Sequence, residues 1–212
     1  MDGLLIDSEP LWQEAGAEAL QEFDIILSDE QYHSSTGLRT PEWVAHWFGI
    51  YSVQHPDIAG VINKIESSAI EKIREKGMPL PGTREVLDYF RSKDIALGLA
   101  SSSPMRLIDT VLDKLNIRSY FKAASSAEHL PYGKPHPQVF LDCAAAMQVR
   151  PEHCMVFEDS FNGLIAAKAA KMRCVVVPAS GTHTLNKWYA ADLVLSSLKE
   201  WDEQAMKRIA GN

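Results

Sequence analysis

Ile95-Ala96-Leu97-Gly98-Leu99-Ala100-Ser101-Ser102-Ser103-Pro104 is the stretch that decides the fold. An uncharged, mostly apolar run ends in three serines and a proline. The run has the length and texture of a strand buried on both faces. Ser103-Pro104 reads as an N-cap followed by proline at the first helical position. A buried strand that leads straight into a helix is the beginning of a parallel βα unit.

The pattern repeats downstream. Phe121 to Ser125 is a weaker strand, and Pro137 to Met147 has helical texture. Met155-Val156-Phe157 is another strand, followed by a helix over Asn162–Lys171. Cys174-Val175-Val176-Val177 is the clearest strand by its β-branched content. Leu193-Val194-Leu195 closes the series. Such alternation implies an α/β fold with a parallel sheet and helices on its faces. Sheets of this kind place their sites at the carboxyl ends of the strands. Upstream, Pro79-Leu80-Pro81-Gly82 reads as a linker. Before it, residues 11–78 read almost entirely as helix. Leu11, Trp12, Ala15, Ala19, Leu20 and Phe23 form one apolar set at helical spacing. Val44, Trp47, Phe48 and Tyr51 form a second, and Ile62, Ile65, Ile70 and Ile73 a third. A turn-rich loop, Ser34 to Thr40, separates the first two.

Composition narrows the class. The chain has 212 residues, 46% apolar and 23% charged, which suits one globular core with an appended module. A net charge of −7 argues against a nucleic-acid partner. Cys143, Cys154 and Cys174 are odd in number and widely spaced, which points to free thiols in a cytoplasmic protein. No apolar run reaches the length of a membrane span.

Several segments sit where such a fold puts its chemistry. Ser101 and Ser102 follow a strand directly, and hydroxyls beside a helix N-terminus suit a phosphate; serines there also serve as plain caps. Lys134 lies in Tyr132-Gly133-Lys134-Pro135-His136-Pro137, where two prolines stiffen the loop. A lysine held that way can neutralise a phosphoryl oxygen, although most lysines are simply solvated. Glu158-Asp159 ends a strand before Ser160 and a helix. Carboxylates there suit a hard cation such as Mg²⁺, and an aspartate there equally suits a helix cap. His33, His55, His129 and His136 form no ligand set. Trp12 and Trp47 suit stacking on a sugar, but their helical spacing also fits core packing.

The chain opens with Met1-Asp2-Gly3-Leu4-Leu5-Ile6-Asp7-Ser8-Glu9-Pro10. With Ser101, Lys134 and Glu158-Asp159, this opening resembles the four motifs of the haloacid dehalogenase superfamily of phosphohydrolases, in order and in approximate spacing. The wording around them, including Lys134-Pro135-His136-Pro137-Gln138-Val139 and the loop Gly37-Leu38-Arg39, is similar to the β-phosphoglucomutase-like subfamily. The resemblance spans essentially the whole chain. It implies a Rossmann-like core from residues 1–10 and 79–212, with residues 11–78 as a helical cap. It implies a Mg²⁺-dependent phosphatase of hexose and hexitol phosphates such as 2-deoxyglucose 6-phosphate, working through an aspartyl-phosphate. Asp2 would be the general acid/base, and Ser101, Ser102 and Lys134 would bind the phosphoryl oxygens. The main-chain carbonyl of Asp2 and the Asp159 carboxylate would hold the metal, together with the family's nucleophile, and Glu158 would be an adjacent acid. Arg39, from the cap loop, would contact the substrate's phosphate or hydroxyls. The expected partner is a small phosphorylated sugar or sugar alcohol, bound by a monomer. A sugar phosphomutase of the same fold, or a sugar-phosphate binder without activity, would share these motifs.

In one respect the sequence departs from the family's pattern. The first motif is Asp-x-Asp-Gly at the end of a buried strand, and its first Asp is the nucleophile. Here Asp2 is the second Asp, Met1 stands at the spacer, and the strand and nucleophile are missing. The reading is of a native protein longer by about ten residues, one short strand's worth. The chain as written is expected to be inactive. It is also expected to leave two strand edges unpaired, those of Ile95–Ala100 and Met155–Phe157.

Overall fold

The computed structural model describes residues 1–35, 37–54 and 56–210. Thr36 of the turn-rich loop, His55, Gly211 and Asn212 lie outside the described residues. A two-residue strand β1 (Ile6–Asp7) leads into four helices: α1 (Glu9–Gln21), α2 (Asp29–Ser34), α3 (Thr40–Ile50) and α4 (Ile58–Lys76). Strand β2 (Met78–Pro79) then returns beside β1, antiparallel, with Ile6 opposite Pro79. The two chain crossings between the helical unit and the rest are therefore tied side by side. Met78, expected in the helical module, belongs to this tie. Gly77 ends α4, and Pro79 cannot continue a helix.

The helical unit has its own core, in which Ala15, Ala19 and Leu20 of α1 meet Val44, Phe48 and Ile65. Ile70 and Ile73, near the end of α4, pack instead into the main core. The same helix thus faces the cap along most of its length and the sheet domain at its end.

The rest of the chain alternates as its sequence suggests: α5 (Thr83–Ser92), β3 (Leu97–Ser101), α6 (Met105–Lys114), β4 (Phe121–Ser126), α7 (Gln138–Met147), β5 (Met155–Glu158), α8 (Phe161–Ala169), β6 (Arg173–Val176), β7 (Leu193–Val194) and α9 (Glu203–Ala210). β3 and β4 pair in parallel, with Leu99 opposite Ala124. β5, β6 and β7 form a second parallel group, with Phe157 opposite Val175. Parallel strands are covered on both faces, so the central residues Cys174, Val175 and Val176 are fully buried.

Among the described residues no ladder joins β3 to β5. A cavity of about 630 Å³ is lined by residues of both, including Leu97, Leu99, Met155 and Phe157, and by Leu5 and Phe90. The sheet is split where the sequence led us to expect unpaired edges. The opening residues do not fill the gap as a strand. They close a compact turn instead, in which the amides of Leu4, Leu5 and Ile6 all reach the carbonyl of Met1, at 3.3, 2.8 and 3.4 Å.

Candidate active site

Asp2 sits in that opening turn. Gly3 follows it with φ +62°, and a Cβ on Gly3 would lie 2.3 Å from an Asp159 carboxylate oxygen. Only glycine allows the turn to lie this close to the end of β5. The Asp2 carboxylate accepts hydrogen bonds from Ser8 Oγ (2.8 Å) and Trp12 Nε1 (3.3 Å) on one oxygen, and from Ser103 Oγ (2.7 Å) on the other. Ser8 stands at the N-cap of α1 but makes no cap hydrogen bond with its side chain; the hydroxyl is turned to Asp2. Ser103 was expected to cap α6. That position is held by Pro104, because the Ser103 hydroxyl is also committed to Asp2.

Ser101, at the end of β3, is buried and accepts the Ser103 amide at 3.1 Å. Ser102 donates to the Gly37 carbonyl of the cap loop at 3.2 Å, so it joins the cap to the core. Lys134 is buried, ion-paired with Glu158, and its Nζ lies 4.7 Å from the centre of the Phe140 ring. The second Glu158 oxygen accepts from the amides of Asp159 and Ser160 and from Ser160 Oγ, at 3.2, 3.3 and 3.0 Å. Burial pushes the Glu158 carboxyl up, but the Lys134 ammonium, the Met1 amino terminus and the hydrogen bonds from Lys134 and Ser160 together hold the group below the usual carboxylate range. Asp159 moves the other way. Burial, and then the Glu158 charge, push it well above that range. Asp159 does not cap α8; Ser160 does, accepting from the Gly163 amide at 3.0 Å.

Asp2, Ser101, Ser102, Lys134, Glu158 and Asp159 all line one cavity, of about 120 Å³, roofed by Leu38, Arg39, Thr40 and Trp43 of the cap. The residues expected to form the site are thus brought together. Two of them take parts that the sequence did not suggest. Both Glu158 oxygens are engaged by Lys134 and by local donors, so Glu158 serves as the lysine's counter-ion. Arg39 lines the cavity, and its terminal nitrogens are engaged by protein groups. Nη1 donates to the carbonyls of Ala127 (3.1 Å) and Leu130 (2.5 Å), and Nη2 pairs with Glu42 at 2.6 Å. Glu42 in turn accepts the Gly133 amide at 3.2 Å. Arg39 and Glu42 clasp the core loop that carries Lys134.

Three contributors were missed in sequence. Glu9, Tyr32 and Trp43 line the same cavity. Burial, and then the Asp2 charge, push the Glu9 carboxyl up to about 7. Tyr32 is likewise raised by burial and then by Glu9. The one usable signal was Gly16, on the buried face of α1. A Cβ there would lie 3.0 Å from the Trp43 ring, so the glycine admits an aromatic wall. Trp12, placed between stacking and packing, packs and also hydrogen-bonds Asp2. Trp47 is buried and does not line the cavity itself; it donates at 3.3 Å to Ser35 Oγ, which does.

Among the described residues no group of three or more His, Cys, Asp or Glu side chains makes a ready metal cage. The donor chemistry still suits a hard cation. Asp2, Glu9 and Asp159 gather carboxyl oxygens in one cleft, and the one lysine there is taken by Glu158. No described residue donates a hydrogen bond to the Asp159 side chain. Mg²⁺ needs only one or two carboxylates, completed by water and phosphate.

A parallel sheet with a helical cap, carrying acid, hydroxyl and ammonium groups at its strand ends, has the layout of an enzyme that handles phosphoryl groups. The chain belongs to the haloacid dehalogenase-like hydrolases, whose family profile matches residues 1–171. Hexitol phosphatase B of Escherichia coli (strain K12) is 42% identical over 94% of this chain and 90% of its own length. A fructose-1-phosphate phosphatase of the same strain is 31% identical over 84% of this chain and 93% of its own. A crystal structure of β-phosphoglucomutase from Clostridium difficile shares the fold, with a TM-score of 0.86 at 24% identity, covering 99% of this chain and 94% of that one.

Proposed function

We propose that this chain carries the site of a Mg²⁺-dependent phosphatase for hexose and hexitol phosphates, 2-deoxyglucose 6-phosphate among them. The observation behind the reading is the convergence of Asp2, Ser101, Lys134 and Asp159 on one capped cleft. The likeness to hexitol phosphatase B supports the substrate class.

Asp159 and Asp2 would hold the metal, which would screen the repulsion between carboxylate and phosphate. Ser101 and Lys134 would bind the phosphoryl oxygens, with Glu158 keeping the Lys134 ammonium in place. Asp2 would protonate the departing sugar oxygen and later take a proton from the attacking water. Its donors, Ser8, Trp12 and Ser103, fix where the carboxylate points. The cap, clasped by Arg39 and Glu42, would exclude bulk water during both steps. In the proposed chemistry the covalent step would need an aspartate directly before Met1.

The test compares the chain as given with one extended by an apolar strand ending in Asp before Met1. Free phosphate is measured from sorbitol 6-phosphate and 2-deoxyglucose 6-phosphate with Mg²⁺. No release is expected from the first, and turnover from the second that Asp2→Ala abolishes. An isomerised sugar phosphate in place of free phosphate would mark a mutase. Strong turnover by the unextended chain, lost in Asp159→Ala, would overturn the proposal.

A further inference from the structure

Glu9 is a titratable group in the cleft to which the mechanism gives no task. It opens α1, just past the turn of Asp2 and Gly3; its Cγ lies 3.6 Å from where a Gly3 Cβ would be. It lines the cavity together with Asp2 and Asp159. The Met1 amino terminus also lines the cavity, and its charge acts on Glu9, Glu158 and Asp159 alike. The other charged side chains there have partners or roles, apart from the buried Arg39 Nε. Lys134 pairs with Glu158, Arg39 with Glu42 and the core-loop carbonyls, and the Asp2 carboxylate with Ser8, Trp12 and Ser103. Asp159 remains for the cation. The Glu9 carboxylate has no hydrogen bond or ion pair with any described residue. A half-buried carboxylate without donors is costly unless something that enters the cleft supplies them.

The surroundings say what that is. On the cap side the cavity is walled by Trp12, Tyr32 and Trp43, with Gly16 making room for the Trp43 ring. Aromatic faces beside a lone acceptor suit a chain of C–H and O–H groups. They do not suit an anion, which the carboxylate would repel at short range. The phosphoryl binders Ser101 and Lys134 lie on the core side, so a substrate anchored there would extend its carbon chain toward Glu9 and the aromatic wall.

We infer that Glu9 accepts hydrogen bonds from the hydroxyls of the substrate's carbon chain, and so makes the site select neutral polyol phosphates over phosphorylated carboxylic acids. Glu9 is a specificity-determining residue, and the inference rests on the sugar-phosphatase reading above. Glutamine would keep the hydrogen-bonding shape but lose the charge, and aspartate would keep the charge but lose the reach.

The chain as given serves directly, because without an attacking aspartate it would bind esters without consuming them. Titration calorimetry with Mg²⁺ would compare inorganic phosphate, sorbitol 6-phosphate and 3-phosphoglycerate on wild type, Glu9→Gln and Glu9→Asp. Loss of one charge-assisted hydrogen bond corresponds to roughly a tenfold fall in affinity or more. Sorbitol 6-phosphate should weaken by that factor in both variants. 3-Phosphoglycerate should bind better to Glu9→Gln but not to Glu9→Asp, a charge effect that a merely structural role would not produce. Inorganic phosphate should be unchanged throughout, which also reports that the variants are folded. Normal phosphate binding with no change in the order of the two esters would overturn the inference alone. So would equal losses for all three ligands. No saturable phosphate binding by the wild type would remove the phosphatase reading itself, and this inference with it.

Discussion

Lys134 reads in sequence as one lysine in a stiff loop, and in the fold it is a buried cation between Glu158 and the Phe140 ring. The sequence suggested Lys134 through its place in the series of motifs; taken alone it read as an ordinary solvated lysine. The sequence did not show its partner, because Glu158 is 24 residues away and looked like one of a metal-binding pair. The same limit applies to Glu9. A glutamate at the start of a helix is ordinary, and only the packing reveals that it faces a cleft without a donor. The buried pair makes a sharp prediction. Lys134→Met strands the Glu158 charge and should destabilise the fold by about 3–5 kcal/mol in urea unfolding. Lys134→Met combined with Glu158→Gln should recover part of that loss. The pH sign follows from the depressed Glu158 carboxyl. Its contribution is present above the unfolded value near 4.5 and is lost as pH falls through the lower folded value. The double variant should therefore lose less stability than wild type on acidification. A double variant no more stable than the single one would remove the buried-pair account.

At the scale of elements, the strands were legible and the helix starts were less so. β3, β5 and β6 lie within two residues of the expected runs, because β-branched and apolar stretches with no room for a helix leave few choices. The caps failed for a physical reason. The Ser8 and Ser103 hydroxyls both donate to the half-buried Asp2 carboxylate, a charge-assisted bond, and in that orientation neither accepts from a first helical amide. For α6 the amide of Met105 is met from elsewhere, by Glu128 at 3.0 Å. The clasp between α3 and the loop before α7 could not be seen either, since Arg39 donates to main-chain carbonyls 88 and 91 residues on. It also makes a prediction. Arg39→Met should loosen the cap without unfolding either unit. Limited proteolysis should then cut the Ser34–Thr40 loop several-fold faster, and Mg²⁺ with phosphate should slow the cutting. Unchanged cleavage would mean that Ser102 and Gly37 hold the cap unaided.

On the scale of the whole molecule, the α/β class and its parallel pairing follow from alternation along the sequence, and the helical unit from its period. The packing of the end of α4 into the main core does not, because the same isoleucine spacing serves either neighbour. The split between β3 and β5 was foreseen from the pattern of the opening motif. Its size, about 630 Å³ of mostly apolar space, comes only from the fold. The split has a consequence for cooperativity. In a continuous parallel sheet, opening one strand exposes its neighbours' ladder, so the strands open together. Here β3–β4 and β5–β7 share helices and side-chain packing but, among the described residues, no ladder between them. They should behave as two units with separate opening free energies. Native-state hydrogen exchange would measure this, with the amides of β4 and β6 falling into distinct protection classes that respond differently to low denaturant. A single shared opening energy for both groups would show that helix packing alone welds the halves into one.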